Sequence, residues 1–133
     1  MNNLLFEDAN VIYAYTRAEA IEDGVLVDVS DLAQEAGFRV PVAITQAVWH
    51  EIIVPDEENR TSGGQSETGR LWDVLMILWA TIRPLPGQAD TITFQVLAVM
   101  ENSPVPELVT LKAVCGPDDD GSPCVTIMLP EED

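Results

Sequence analysis

His50 is the sole histidine of this 133-residue chain, so any relay of the Ser-His-Asp or Cys-His type must run through it. No nucleophile motif accompanies it, and the adjacent Glu51 cannot orient it, because successive helical residues point in different directions. It reads as an exposed or hydrogen-bonded helix histidine. Zinc would need a cluster such as Cys115, Cys124 and His50, yet neither CxxC spacing nor a second histidine is present. The run Gly116-Pro-Asp-Asp-Asp-Gly-Ser-Pro123 offers three hard carboxylates, Asp118, Asp119 and Asp120, as a calcium loop would. An EF-hand needs alternating ligands over twelve positions and a closing Glu, whereas here Cys124 leads straight into a strand, so the run reads as a turn. With neither GxGxxG nor GxxxxGK[ST] in the chain, nothing in the sequence cradles a phosphate. We assign no catalytic residue, no metal ligand and no cofactor.

What the residues do offer is negative charge. Asp and Glu number 23 against six Lys and Arg, a formal net charge of −17. Such a surplus repels nucleic acid and anionic membranes and favours basic proteins, cations or a highly solvated surface. Six scattered basic residues cannot form a phosphate-tracking stripe. Glu19, Glu22 and Asp23 stand three to four residues apart and crowd one helical face, and Asp28, Asp31 and Glu35 extend the negative region. Asp56, Glu57 and Glu58 open a polar, Gly-rich loop running to Ser66. These nine acids are the candidate partner-binding residues.

The elements that must carry them follow from spacing and end signals. Thr16 and Glu19 form a capping box and Gly24 a stop, framing a helix around Arg17 to Asp23. Val25 to Val29 reads as a strand, and Ser30 or Asp31 caps a helical turn ending at Gly37. Val40 to Ile44 reads as a second strand whose Pro41 belongs at an edge or a beginning; its direction against the first stays open. Thr45 caps a helix to about Val54, stopped by Pro55. The longest helix spans about Glu67 to Ile82, with Leu71, Leu75, Leu78 and Ile82 on one face and Trp72, Met76 and Trp79 on another. It is expected at the centre of the core, its use as a homodimer interface being the alternative.

Thr91 to Met100, Glu107 to Cys115 and Cys124 to Leu129 read as strands of an antiparallel meander, in which Ile92, Phe94, Val96 and Ala98 alternate with Thr91, Thr93, Gln95 and Leu97, so that one face is more deeply buried under the helices. Cys115 and Cys124 fall on adjacent strands, where they are read as free thiols in a reducing compartment. Residues 1 to 12 read as a short arm docking through Leu4, Leu5, Phe6, Val11 and Ile12. The expected fold is therefore α+β: a single domain with a C-terminal β-meander packed against three or four helices. Its 47% hydrophobic content suffices for a core, and no run reaches the roughly 20 apolar residues of a membrane helix. Lacking a basic, apolar leader, the opening residues point to the cytoplasm.

The strings Tyr13-Ala-Tyr-Thr-Arg-Ala-Glu-Ala-Ile-Glu-Asp-Gly-Val-Leu-Val-Asp-Val-Ser30, Ala36-Gly-Phe-Arg-Val-Pro-Val-Ala-Ile-Thr45, Gly69-Arg-Leu-Trp-Asp73, Val109-Thr-Leu-Lys-Ala-Val114, Asp119-Asp-Gly121 and Thr126-Ile-Met-Leu-Pro130 resemble an uncharacterised bacterial protein family. The resemblance covers most of the chain and implies carriage on phages, plasmids and integrating elements. It transfers no functional residue, and Cys124 is not one of its defining positions. The leading expectation is a non-enzymatic accessory protein of a mobile element that binds a basic protein, in its specific form inhibiting a DNA-processing defence system by imitating a polyanion. A cation-binding or enzymatic domain using the Asp118 to Asp120 loop, and a structural homodimer, are the alternatives.

Overall fold

A computed structural model describes residues 15–54, 66–83, 90–98 and 105–132. In chain order these form α1 (Arg17–Glu22), β1 (Leu26–Asp28), α2 (Ser30–Ala36), β2 (Val42–Thr45), α3 (Gln46–Val48, continued by a π turn over Trp49–Ile53), α4 (Glu67–Ile82), β3 (Thr91–Ala98), β4 (Glu107–Pro117) and β5 (Pro123–Met128). Five strands make one mixed sheet in the order β1-β2-β5-β4-β3. The fold is α+β, and β3, β4 and β5 are the expected antiparallel meander. Sequence left the direction of the first two strands open. They pair antiparallel with each other, and β2 adds to the meander by running parallel to β5, Ile44 opposite Ile127. Pro41 sits at the start of β2, where its missing N–H is harmless and its carbonyl accepts from Val125 N–H.

The pleat sorts side chains into two faces. Val42, Ile44, Phe94, Val96, Leu111, Ala113, Val125 and Ile127 share one face and form the core with Ala33 and Ala36 of α2, Val48, Ile52 and Ile53, and Leu71, Val74, Leu75 and Leu78 of α4. Leu75 and Leu78 are fully buried, as expected, whereas Trp72 and Trp79 lie at the periphery, half-buried, because the i, i+3, i+4 row through Leu71, Val74, Leu75 and Leu78 is the one aimed at the sheet. On β3 the alternation holds: Phe94 and Val96 are buried, Thr91, Thr93, Gln95 and Leu97 exposed.

Two local expectations are corrected. Neither Ser30 nor Asp31 caps α2 with its side chain; Asp28 at the end of β1 does the equivalent, its Oδ1 accepting from Ser30 N–H at 3.0 Å and from Ser30 Oγ at 2.6 Å. The segment after Thr45 begins as an α-helix and widens into a π turn, with Val54 N–H reaching back to Trp49 O. Buried Arg70 of α4 donates to Ile52 O of that turn at 3.0 Å, so the widened backbone is tied to the long helix.

Gly37 ends α2 at a φ of +122°, and a Cβ there would lie 2.6 Å from Trp79 Nε1. Phe38 N–H closes on Ala33 O and Gly37 N–H on Gln34 O, the Schellman pattern that needs a left-handed residue. Arg83 covers the indole of Trp79 as well, its guanidinium carbon 4.9 Å from the ring centroid.

Candidate functional site: an acidic edge

The second face of the sheet carries α1, and α1 is where the charge gathers. At six residues it is too short to persist alone, so its ends must be satisfied from outside. Thr16 Oγ1 accepts from Glu19 N–H at 3.0 Å and donates to Glu19 Oε1. The two remaining N–H groups of the first turn, those of Arg17 and Ala18, are taken by one carboxylate from more than a hundred residues away: Asp119 accepts from them at 2.8 and 3.0 Å. The N–H groups of Arg17, Ala18 and Glu19 thus all have partners. Arg17 then reaches across the sheet, donating to Thr126 Oγ1 at 2.6 Å and to Val125 O at 2.8 Å. At the other end, Gly24 at φ +81° closes a second Schellman pattern through Val25 N–H to Ala20 O.

The turn between β4 and β5 is thus docked on α1, and its three carboxylates have separate duties. Asp118 Oδ1 accepts from Asp119 N–H; Asp119 holds the helix; Asp120 Oδ1 accepts from Ser122 N–H and Oγ, the hydroxyl bond being the main cause of its lowered pKa. They diverge into hydrogen bonds rather than converge on a point. Among the described residues no group of three His, Cys, Asp or Glu side chains is arranged to hold a metal ion.

Of the nine candidate partner-binding acids, six are exposed on elements next to the edge strand β1, with α1 on the second face of the sheet and α2 on the core face. Glu19, Glu22 and Asp23 are exposed on α1, Asp28 on β1, and Asp31 and Glu35 on α2, three consecutive elements meeting around the edge strand β1. Asp56, Glu57 and Glu58 lie outside the described residues. Sequence reasoning missed that the turn carrying Asp118, Asp119 and Asp120 docks on the start of α1; the only sign was an acid triplet in a hairpin turn, and its docking site is remote in the chain. Arg17 is engaged by Thr126 and Val125 and Lys112 by the main-chain carbonyl of Glu132, whereas Arg39, just after α2, is exposed.

Tyr15 is bound to one of these acids. Its hydroxyl donates to Asp23 Oδ2 at 2.5 Å, and that bond, with lesser help from burial and from the charges of Asp23 and Glu19, pushes its pKa up to about 12. Behind Tyr15, between α1 and the sheet, lies an open cavity of about 480 Å³ lined by Ala20, Leu26, Thr126, Met128 and Glu132 among others. Glu132 Oε1 is held by Thr45 Oγ1 at 2.7 Å and Leu129 N–H at 2.8 Å, so the wall is braced rather than reactive.

His50 is exposed on the π turn. Cys115 and Cys124 are free thiols on neighbouring strands, but Cys115 pairs with Val125 and Cys124 with Gly116, which puts them on opposite faces and precludes a disulfide. Burial raises both thiol pKa values.

Residues 1–133, the whole chain, match a family described as a family of unknown function, DUF6573. The chain belongs to that family. The resemblance read from the sequence strings is thereby established as membership of an uncharacterised family. No curated protein and no solved structure matches the chain. Among the described residues of this DUF6573 member, no helix is long and apolar enough to cross a membrane.

Proposed function

We propose that this protein is a non-enzymatic acidic accessory protein of a mobile element, working in the cytoplasm, which binds a basic partner through the edge formed by α1, β1, α2 and the docked β4–β5 turn. In its specific form the partner is a DNA-processing protein, and the carboxylates stand in for backbone phosphates in its DNA channel. The observation that supports this reading is the docking of the β4–β5 turn on α1, where Asp119 accepts from Arg17 and Ala18 N–H and brings the acids Asp118 to Asp120 beside the helix that carries Glu19, Glu22 and Asp23. Solubility needs charge but not a turn recruited across more than a hundred residues to the same place.

The test is capture of a partner from the native host across a salt series, with a variant neutralised at Glu19→Gln, Glu22→Gln, Asp31→Asn and Glu35→Gln. The retained protein is expected to be basic and to handle DNA, to be displaced by duplex DNA, and to lose affinity steeply as salt rises. The fourfold variant should bind it at least about tenfold more weakly, chiefly through a slower on-rate. Affinity indifferent to salt, to DNA and to the four substitutions rules the reading out.

A further inference from the structure

The two edges of the sheet are built differently. β1 is three residues long and carries exposed Asp28, the short, charged edge that discourages another strand from pairing. β3 at the opposite edge is eight residues long, Thr91-Ile-Thr-Phe-Gln-Val-Leu-Ala98, with no ionisable residue, no proline and no glycine in a chain of net charge −17. Among the described residues no strand lies on its outer side.

The register says which backbone groups are free to pair. Cys115 N–H donates to Asp90 O, so Asp90 and Cys115 form a hydrogen-bonded pair. By alternation Ile92, Phe94, Val96 and Ala98 bond inward to β4. Thr91, Thr93, Gln95 and Leu97 therefore aim both N–H and C=O outward, four residues of open ladder. Above them on the second face, Leu97 and its cross-strand partner Leu108 are 62% and 64% exposed, an apolar pair with nothing described over it.

We propose that the free edge of β3 accepts an extended segment of a cationic partner protein as a sixth strand. The inference rests on the acidic-partner reading and names the contact that reading lacks. Charge complementarity selects the occupant: the neutral edge is bracketed by Asp90 before Thr91 and by Glu107 opposite Ala98, within a strongly negative chain. A segment with basic ends is drawn in, whereas a second copy of this chain meets like charge. Main-chain bonds supply the attachment, and an apolar side chain beside Leu97 and Leu108 fixes the register.

The probe is a synthetic peptide of eight alternating threonines and valines flanked by two lysines at each end, added to the intact isotope-labelled protein. Binding should move the amide resonances of Thr91, Thr93, Gln95 and Leu97 and slow their hydrogen exchange at least tenfold. The same peptide with glutamates for lysines, or with alternate amides N-methylated, should bind at least tenfold more weakly. Gln95→Pro removes an outward N–H while sparing the main-chain β3–β4 ladder, and should abolish the effect; Gln95→Thr, which loses the same side-chain bond to Thr110 but keeps the N–H, should retain it. Binding that leaves these four amides unmoved and persists in Gln95→Pro, mapping instead to α1 and α2, overturns the β3 proposal while the acidic-edge reading stands. Absence of binding by this peptide and by polylysine alike overturns both. Pairing of two protein copies through the same four amides without peptide also overturns the assignment of a cationic partner.

Discussion

Removing the Asp119 carboxylate is the sharpest test of how the acidic edge is assembled. Asp119→Ala leaves the N–H groups of Arg17 and Ala18 without their protein acceptor. Both are exposed, so water replaces part of what is lost, and loss of a helix-capping side chain costs about 0.5–2 kcal/mol. The negative charge at the helix N-terminus adds about 0.3–1 kcal/mol. Together these give a destabilisation of roughly 1–2 kcal/mol. With a urea dependence of about 1–3 kcal/mol per molar for a small domain, the midpoint should fall by roughly 0.3–2 M. Asp119→Asn keeps one acceptor oxygen and loses the charge, and should fall between wild type and alanine. Glu22→Ala, an exposed acid on the same helix, is the control and should move stability by no more than about 0.5 kcal/mol. Hydrogen exchange locates the effect: the amides of Arg17 and Ala18 should exchange faster in Asp119→Ala, and those of α4 should follow only the global change. If Asp119→Ala unfolds at the wild-type midpoint with the Ala18 amide as protected as before, the turn is not what anchors α1, and the convergence of charge on that side loses its structural cause.

Two further substitutions probe the surroundings. Gly37→Ala should destabilise by about 2–4 kcal/mol in thermal or urea unfolding, combining a left-handed backbone penalty with overpacking against the indole of Trp79, and should alter the near-ultraviolet dichroism of that ring. Tyr15 should ionise near pH 12 when followed by ultraviolet absorbance, and Asp23→Asn should bring the transition back toward 10. Because its folded pKa exceeds its unfolded one, Tyr15 contributes its stabilisation fully below pH 10, and the contribution fades as pH climbs from 10 to 12. A wild-type transition at pH 10 would mean that the Asp23 bond is not formed in solution.

Much of the fold was legible because its signals are local. The Thr16 cap, the glycines at 24 and 37, and the apolar rows of α4 and β3 each act within one or two turns or along one strand, and each sits where expected, although Glu19 bonds the Thr16 hydroxyl rather than its main-chain N–H as a full capping box would. What stayed hidden depends on encounters between distant segments. The parallel pairing of β2 with β5 leaves no mark in either strand, since Val42-Ala-Ile44 and Val125-Thr-Ile127 would suit any buried neighbour. The peripheral place of Trp72 and Trp79 could not be read from a helix apolar nearly all round, where several faces compete for the sheet. Charge on α1, β1 and α2 was readable as a list of acids, but the recruitment of Asp119 was not, because a carboxylate in a turn carries no address. The same blindness covers the thiols, whose adjacency in the strand order conceals that the pleat turns them apart.

The junction of β2 with β5 also governs when this molecule can take shape. Some eighty residues separate the two strands, and β1 reaches the meander only through β2. β2 has β1 beside it as soon as the two strands are made, but its other edge has no partner among the described strands until β5 follows. Joining the β1–β2 pair to the meander is therefore a contact of high sequence separation, the kind that slows folding because a long loop must close before the pairing is rewarded.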